Sequence, residues 1–285
     1  MLCAVGDLIE DIVVQLHGDI QRDTDTPATI TRRRGGSAAN VAYFATKLSG
    51  ASRFVGCVGS DALGDSLAGS LTRHGVDVRG ERRGRTGSIV VVATADGART
   101  MLTDRGSATE LSDWRDEWLE RVTVVHLPLY SFSHESNAHT SRQAIASARG
   151  RRCLVSLDLS SVALINQLGD VDVRALLHSM APDVLFCTRA EADAIGIRSN
   201  DRCGAQLVVV KDAERPIRVL GGDSDQTFPV AAVAHVVDAT GAGDALAAGF
   251  LVRYAERQPI DECISAGRAL AARVVTLAGA TLEGE

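Results

Sequence analysis

The chain has 285 residues, of which 45% are hydrophobic and 23% are charged, a composition that fits one α/β domain with a buried core. The net charge of −6 gives no indication of a nucleic-acid partner. No signal peptide or membrane-length apolar run is visible, so we expect a cytoplasmic protein without a membrane partner. The six cysteines and seven histidines show no metal-ligand spacing.

The first apolar run, residues 2–5, predicts a buried strand that leads into a site at its carboxyl end. Asp11 follows it, and by itself this residue is typical of a solvated turn. Gly35 and Gly36 then open a helix predicted over residues 38–48, and glycines let the backbone approach a small polar ligand. Asn40 can donate and accept hydrogen bonds at once, as a hydroxyl-rich ligand requires. The alternative is a glycine turn with Ser37 as the helix N-cap.

A strand is predicted over residues 53–58 and a helix over 61–74, after which the pattern changes. Two β-rich runs, 88–94 and 99–103, are joined by Ala-Asp-Gly-Ala at 95–98, which is a strong hairpin signal. We interpret segments of about 12–33 and 84–105 as a small β-sheet lid. Arg105 ends the hairpin, where it could bind a substrate carboxylate or phosphate or form a salt bridge with Asp104 or another acid.

Strand–helix alternation resumes in the second half of the chain. Strands are predicted over residues 122–127, 152–157, 183–187 and 206–210, and helices over 135–149 and 260–277. Such alternation predicts a parallel sheet covered by helices on both faces. Ligands bind at the carboxyl ends of the strands in such sheets.

A final strand, predicted over residues 231–237, leads through a glycine turn into an Ala-rich helix that begins near Gly241. Gly241 and Gly243 leave backbone N–H groups free to approach an anion, and the helix dipole favours negative charge there. Asp244 lies in the first turn of this helix, where a carboxylate could take a proton from an attacking hydroxyl. The alternative is that Asp244 only stabilises the helix N-terminus.

Two motifs of this chain resemble a known family. Residues 238–244 read D-A-T-G-A-G-D and continue A-L-A-A-G-F, and residues 34–42 read R-G-G-S-A-A-N-V-A. Both are similar to signatures of the ribokinase/PfkB family of carbohydrate kinases, in the order of that family, and the similarity covers essentially the whole chain. The resemblance implies one ribokinase-like α/β domain over 1–285, with a parallel-rich central sheet and a β-sheet lid.

The resemblance also implies an ATP-dependent sugar kinase and assigns roles by position. Asp244 is the expected base, and Gly241, Ala242 and Gly243 accompany it in the anion hole. The acceptor would be bound by Asp11, Gly35, Gly36, Asn40 and Arg105, and the nucleotide by Thr188, Glu191, Lys211, Gly241 and Gly243. Mg²⁺ is expected with ATP, held by Glu191 through water, and K⁺ is expected at Asp238 and Thr240.

Two departures from the family pattern leave alternatives open. Thr188 replaces the usual asparagine, and Asp212 stands where a glycine-bearing turn usually faces the nucleotide. Lys211 would offset Asp212, or it is an ordinary exposed strand end. The alternatives to a sugar kinase are a nucleoside kinase of the same family and a catalytically weakened sugar sensor. A homodimer formed through the lid is a further hypothesis.

Overall fold

The computed structural model describes residues 1–94, 99–222 and 224–283. In chain order its strands are β1 (Leu2–Val5), β2 (Ile9–Leu16), β3 (Ala28–Gly35), β4 (Ser52–Val58), β5 (Val76–Arg82), β6 (Thr86–Ala93), β7 (Arg99–Gly106), β8 (Val124–Pro128), β9 (Leu154–Asp158), β10 (Val184–Thr188), β11 (Leu207–Lys211), β12 (Ile217–Gly221) and β13 (Gln226–Phe228). Its α-helices are α1 (Ser37–Ser49), α2 (Ala62–Arg73), α3 (Glu135–Gly150), α4 (Val162–Leu168), α5 (Asp170–Met180), α6 (Arg189–Ala194), α7 (Ala242–Ala255) and α8 (Ile260–Val274).

The main sheet has nine strands in the order β13-β12-β11-β10-β9-β8-β1-β4-β5. The seven strands from β11 to β5 are parallel, and β12 and β13 add an antiparallel edge. Successive side chains of a strand point to opposite faces of the sheet and pack into two different hydrophobic cores. Val124 and Val209 pack with α1, α7 and α8, whereas Val125 and Val208 pack with α3 and α5 on the other face. The predicted α/β architecture with helices on both faces is therefore confirmed.

A separate four-stranded sheet has the order β3-β2-β6-β7. β2 pairs with β3 and β6 with β7 in antiparallel fashion, while β2 and β6 run parallel. The predicted hairpin corresponds to β6 and β7, although its turn, residues 95–98, lies outside the described residues. Because β2 follows β1 and β3 leads into α1, this sheet is connected directly to the carboxyl edge of the main sheet.

The prediction of a strand over residues 231–237 is wrong. These residues form an irregular segment, and Val236 and Val237 are 52% and 46% exposed. Among the described residues no strand pairs with this run, and the Val237 N–H donates to the Val275 carbonyl at 2.8 Å instead. The segment leads from β13 to α7.

The helices of the described part of the chain include none that is both long and apolar enough to cross a membrane.

Candidate active site

Asp244 lies between two polar clusters at the carboxyl edge of the main sheet. It occupies the first turn of α7, whose N-cap is Gly241. The φ of Gly241 is 78°, and a Cβ there would overlap Ala280, so only glycine fits this close approach. On one side the Asp244 carboxylate contacts α1, and on the other it interacts electrostatically with Asp158 and Lys211.

Two side chains of α1 hold the Asp244 carboxylate. The Ser37 hydroxyl donates to Oδ1 at 2.8 Å and the Asn40 amide donates to Oδ2 at 2.8 Å. Burial raises the pKa of Asp244 to about 7, against the lowering effect of these two hydrogen bonds. Ser37 is thus not the N-cap of α1, which is Gly36. A carboxyl group that titrates near neutrality is suited to accept a proton from a substrate hydroxyl.

Lys211, Asp158 and Glu191 form the cluster on the β9–β11 side of Asp244. Lys211 Nζ donates to Asp158 Oδ2 at 2.6 Å, and both side chains are largely buried. Burial alone would lower the pKa of Lys211, but the charge and hydrogen bond of Asp158, together with the charges of Glu191 and Asp244, raise that pKa overall. A Cβ on Gly243 would lie 3.2 Å from Lys211 Nζ. The ammonium group therefore lies beside the start of α7, and Lys211 is not an exposed strand end.

Thr188 and Glu191 form a capping box at the start of α6. The Glu191 N–H donates to Thr188 Oγ1 at 3.2 Å, and the Thr188 N–H donates to Glu191 Oε2 at 2.7 Å. Threonine thus supplies the same helix cap that an asparagine would supply. Burial, followed by the nearby Asp158 charge, raises the pKa of Glu191. The capping box is therefore complete with Thr188 in place of the asparagine.

Asp11, Gly35 and Gly36 meet where β2 and β3 join α1. A Cβ on Gly35 would overlap the Asp11 carboxyl group, and a Cβ on Gly36, whose φ is 99°, would overlap the Asp7 carbonyl oxygen. Burial and the neighbouring Asp7 charge raise the pKa of Asp11 to about 6. Both glycines are therefore needed to let two aspartates approach the start of α1.

Arg105 is an ion-pair partner of Asp7, not of Asp104. Its Nη1 lies 3.0 Å from Asp7 Oδ2, and its Cζ lies 3.5 Å from the centroid of the Tyr130 ring. Asp104 is paired with Arg85 instead. The other Asp7 oxygen accepts the Ala38 N–H at 3.2 Å, so Asp7 also orders the start of α1. Arg105 thus reaches from β7 to the start of α1, and its charge is balanced by Asp7.

Asp238 and Thr240 order the loop before α7. Asp238 Oδ1 accepts hydrogen bonds from the Thr240 N–H at 2.9 Å and from the Thr240 hydroxyl at 2.7 Å. Its Oδ2 accepts the Gly279 N–H at 3.0 Å. The Asp238 carboxylate therefore joins the turn that precedes α7 to the C-terminal segment.

Sequence reasoning missed the parts played by Asp7, Asp158 and Tyr130. Asp7 and Asp158 each stand at the end of a predicted strand, and that position was a usable signal for both. The contact between Arg105 and Tyr130 joins elements far apart in the chain, and no local pattern indicates it.

Comparison with known proteins identifies the fold and the family. A sequence model described as the pfkB family of carbohydrate kinases matches residues 1–284. Fructokinase-2 of Oryza sativa subsp. japonica is 25% identical over 280 residues, covering 91% of this chain and 81% of the relative. Adenosine kinase from Sinorhizobium meliloti superposes with a TM-score of 0.87 at 24% identity, covering 98% of this chain and 94% of that one. A fructokinase with bound ATP from Xylella fastidiosa gives a TM-score of 0.79 at 24% identity, covering 98% and 93%.

The fold, the buried carboxylate at a helix start and these matches define a phosphotransferase that acts on an alcohol group. The chain belongs to the pfkB family of carbohydrate kinases. It is a sugar kinase, and ATP is the phosphoryl donor.

Proposed function

We propose that this kinase phosphorylates a hydroxyl of a neutral sugar, with Asp244 as the general base. The observation that carries the proposal is the Asp244 carboxylate, buried with a pKa of about 7 and held by Ser37 and Asn40. A base of that pKa is ionised in a substantial fraction of molecules at neutral pH and can still accept a proton from the acceptor hydroxyl.

The anion hole consists of backbone N–H groups at the start of α7. The Ala242 N–H already donates to the Ala239 carbonyl at 3.2 Å. We therefore assign the anion to the N–H groups of Gly241, Gly243 and Asp244. Lys211, beside Gly243, adds a positive charge to the helix dipole. Positioning and electrostatics of this kind supply most of the catalysis in phosphoryl transfer.

The acceptor binds between Asp11, Asn40 and the Gly35-Gly36 turn, and the sheet β3-β2-β6-β7 is its lid. Asp11 belongs to β2, so the carboxylate that binds the sugar hydroxyls lies on the lid sheet itself. Closing this sheet over the sugar would exclude water, which otherwise competes as phosphoryl acceptor.

The balanced charge of Arg105 favours a neutral sugar. Its guanidinium already faces Asp7 at 3.0 Å, so a substrate carboxylate would have to compete with a buried aspartate for the same arginine. The fructokinases among the relatives and the solved structures act on a neutral sugar by name, which agrees with this assignment.

Mg²⁺ would accompany ATP and contact the protein through water at Glu191. Across residues 1–94, 99–222 and 224–283, no group of three His, Cys, Asp or Glu side chains could hold a metal ion. This fits Mg²⁺, which usually keeps several waters and binds phosphates together with one or two carboxylates. When bound, it would neutralise charge on the phosphates, while Lys211 and Glu191 remain the protein groups nearest to them.

K⁺ is proposed at Asp238 and Thr240. Carboxylate and hydroxyl oxygens are suitable ligands for such a hard cation, and Asp238 already ties the loop before α7 to Gly279. A cation there would stiffen the loop that carries Gly241.

We also propose a homodimer formed through the lid. The lid face opposite Asp11 carries aliphatic side chains in register: Ile12, Val14, Ile30, Val90, Val92 and Leu102. Ile30 and Leu102 are 62% and 58% exposed, which is more typical of an interface than of a free surface.

The experiment that tests the function is an ATP-consumption screen with the parent protein and Asp244→Asn. The acceptors are D-fructose, D-ribose, D-gluconate and adenosine. We expect turnover of a neutral sugar, and Asp244→Asn should lower kcat by about 10²-fold or more while sugar binding persists. With the parent protein, kcat/KM should fall as the pH drops below about 7, because protonated Asp244 cannot act as a base.

Four outcomes would contradict the proposal. Turnover of adenosine alone would make the protein a nucleoside kinase, and turnover of gluconate alone would assign a carboxylate to Arg105. Sugar binding without ATP consumption would indicate that the protein is a catalytically weakened sugar sensor. An Asp244→Asn variant that retains parental turnover would exclude Asp244 as the base.

A further inference from the structure

Arg34, at the end of β3, contacts three parts of the active site although it does not contact Asp244 directly. Its Nη1 donates to Asn40 Oδ1 at 2.6 Å, and its Nη2 donates to the Ala280 carbonyl at 3.0 Å. Its Cζ lies 4.7 Å from the centroid of the Tyr43 ring. Burial lowers the pKa of Arg34 to about 10, so the guanidinium is still charged at neutral pH.

The contact with Asn40 decides which way the asparagine amide faces. Arginine can only donate, so it selects Asn40 Oδ1. The amide nitrogen is then directed to Asp244 Oδ2, to which it donates at 2.8 Å. With the amide reversed, Asn40 would present an oxygen to the carboxylate of Asp244, and the two would repel each other. Arg34 and the Asp244 carboxylate therefore favour the same orientation of the Asn40 amide, and Arg34 holds it there.

The charge of Arg34 also acts on Asp244. The hydrogen bonds described for Arg34 are to neutral oxygens, those of Asn40 and Ala280. Lys211, by contrast, is paired with Asp158 at 2.6 Å. Asp244 is among the charges that raise the pKa of Arg34, together with Tyr43 and Asp11. The interaction is mutual, so the guanidinium favours the ionised carboxylate, but burial, the Asn40 and Ser37 hydrogen bonds and the charges of Asp158 and Lys211 have the larger effects on the pKa of Asp244.

We propose that Arg34 is a positioning residue for phosphoryl transfer: through Asn40 it orients the carboxylate of Asp244, and its positive charge favours the ionised base. The proposal rests on the role of Asp244 proposed above. It also links the lid to the chemistry, because Arg34 belongs to lid strand β3.

Arg33 provides a matched control on the same strand. Its Nη1 donates to the Ala278 carbonyl at 2.6 Å, so it holds the C-terminal segment as Arg34 does. The amide oxygen of Asn40, however, accepts from Arg34. An effect that Arg34→Met shares with Arg33→Met comes from the C-terminal segment, and an effect confined to Arg34→Met comes through Asn40.

The decisive measurement is the titration of the Asp244 carboxyl group, followed by ¹³C NMR of protein labelled at aspartate carboxyls. Asp244→Asn assigns the signal. Weakening the Asn40 hydrogen bond and removing a positive charge should together raise the pKa of Asp244 by about half a unit or more in Arg34→Met. Arg34→Lys should retain most of the parental value, and Arg33→Met should stay within roughly 0.2 units because its described hydrogen bond is to Ala278 and Asn40 keeps its contact with Arg34. An unchanged pKa in Arg34→Met would overturn the proposal.

This titration needs no turnover, so it is decided independently of the kinase activity. Kinetics with ATP and D-fructose then test the path through Asn40. We expect Arg34→Met to lower kcat by about tenfold with little change in the KM for ATP, and to add little to Asn40→Ala, as for residues in one network. Additive effects of the two substitutions would show that Arg34 does not act through Asn40.

Discussion

Single carboxylates in this molecule show that the direction of a pKa shift is more informative than its size. Asp61 caps α2 and accepts hydrogen bonds from Thr86, which lower its pKa to about 2. Asp244 is also hydrogen-bonded, yet burial dominates and raises its pKa to about 7. A structural cap stabilises the ionised form, whereas a base that must take up a proton needs an environment that tolerates the protonated form.

Arg105 provides the residue-scale prediction on substrate class. Arg105→Met removes the charge and keeps the hydrocarbon stem that packs on Tyr130. It leaves Asp7 without its cation, so the start of α1 should loosen and the KM for the acceptor should rise several-fold. For a neutral-sugar kinase, kcat/KM should fall by the same modest factor for D-fructose as for D-gluconate.

The control for this prediction is Arg85→Met, because Arg85 pairs with Asp104 on the exposed side of the same strand. We expect Arg85→Met to behave like the parent in both assays, since surface ion pairs contribute little. A collapse of gluconate turnover alone in Arg105→Met would instead show that Arg105 binds a substrate carboxylate.

At the scale of elements, hydrophobic runs predicted the strands that have parallel neighbours. β1, β4, β10 and β11 lie within one residue of their predicted bounds, because strands buried on both faces are continuous apolar runs. The same rule failed for residues 231–237, where an apolar run forms an irregular segment that pairs with no described strand. β5 and β12 were missed: polar residues interrupt the run of β5, and β12 lies next to a turn rich in charge.

The candidate site was predicted unevenly for a similar reason. Glycines and acids that follow strands carry a local signal, and Gly36, Asn40 and Asp244 do come together in the structure. The partners of Arg34 and Arg105 are separated from them by long stretches of chain, except for Asn40, and only the fold brings them together.

The turn after β11 provides the element-scale prediction. Ala213 has a φ of 49°, the left-handed conformation that glycine adopts without cost, and it is exposed. This conformation costs a non-glycine residue roughly 1–2 kcal/mol. Ala213→Gly should therefore raise the free energy of unfolding by about 0.5–1 kcal/mol after the greater entropy of the unfolded chain is subtracted. Urea unfolding followed by circular dichroism measures it.

Ala232 is the matched control, because it is also exposed in an irregular segment and is not among the residues with positive φ. Ala232→Gly should lower stability slightly. If Ala213→Gly were also destabilising, the strain assigned to this turn would be absent.

At the scale of the whole molecule, the active site lies where two sheets meet. The main sheet supplies Asp158, Glu191 and Lys211 from the ends of β9–β11 and the start of α6, and the lid sheet supplies Asp11, Arg34 and Arg105. In the proposed assignment, most groups for the acceptor and for the nucleotide therefore come from different sheets. Closure of the proposed lid would then bring the acceptor towards Asp244.

The last prediction concerns the outer lid face, where an exposed aliphatic surface should form the dimer. Leu102→Glu places a charge beside Val90, on the face that also carries Ile12 and Ile30, and burying it against a second copy would be costly. Sedimentation velocity should show a dimer for the parent protein and a monomer for Leu102→Glu. Met101→Glu is the control, because Met101 is 60% exposed on the same strand but points to the opposite face. A parent protein that is monomeric at roughly 100 μM, well above the Kd of a specific interface, would disprove the lid dimer. If both variants became monomeric, the interface would not be confined to the outer face.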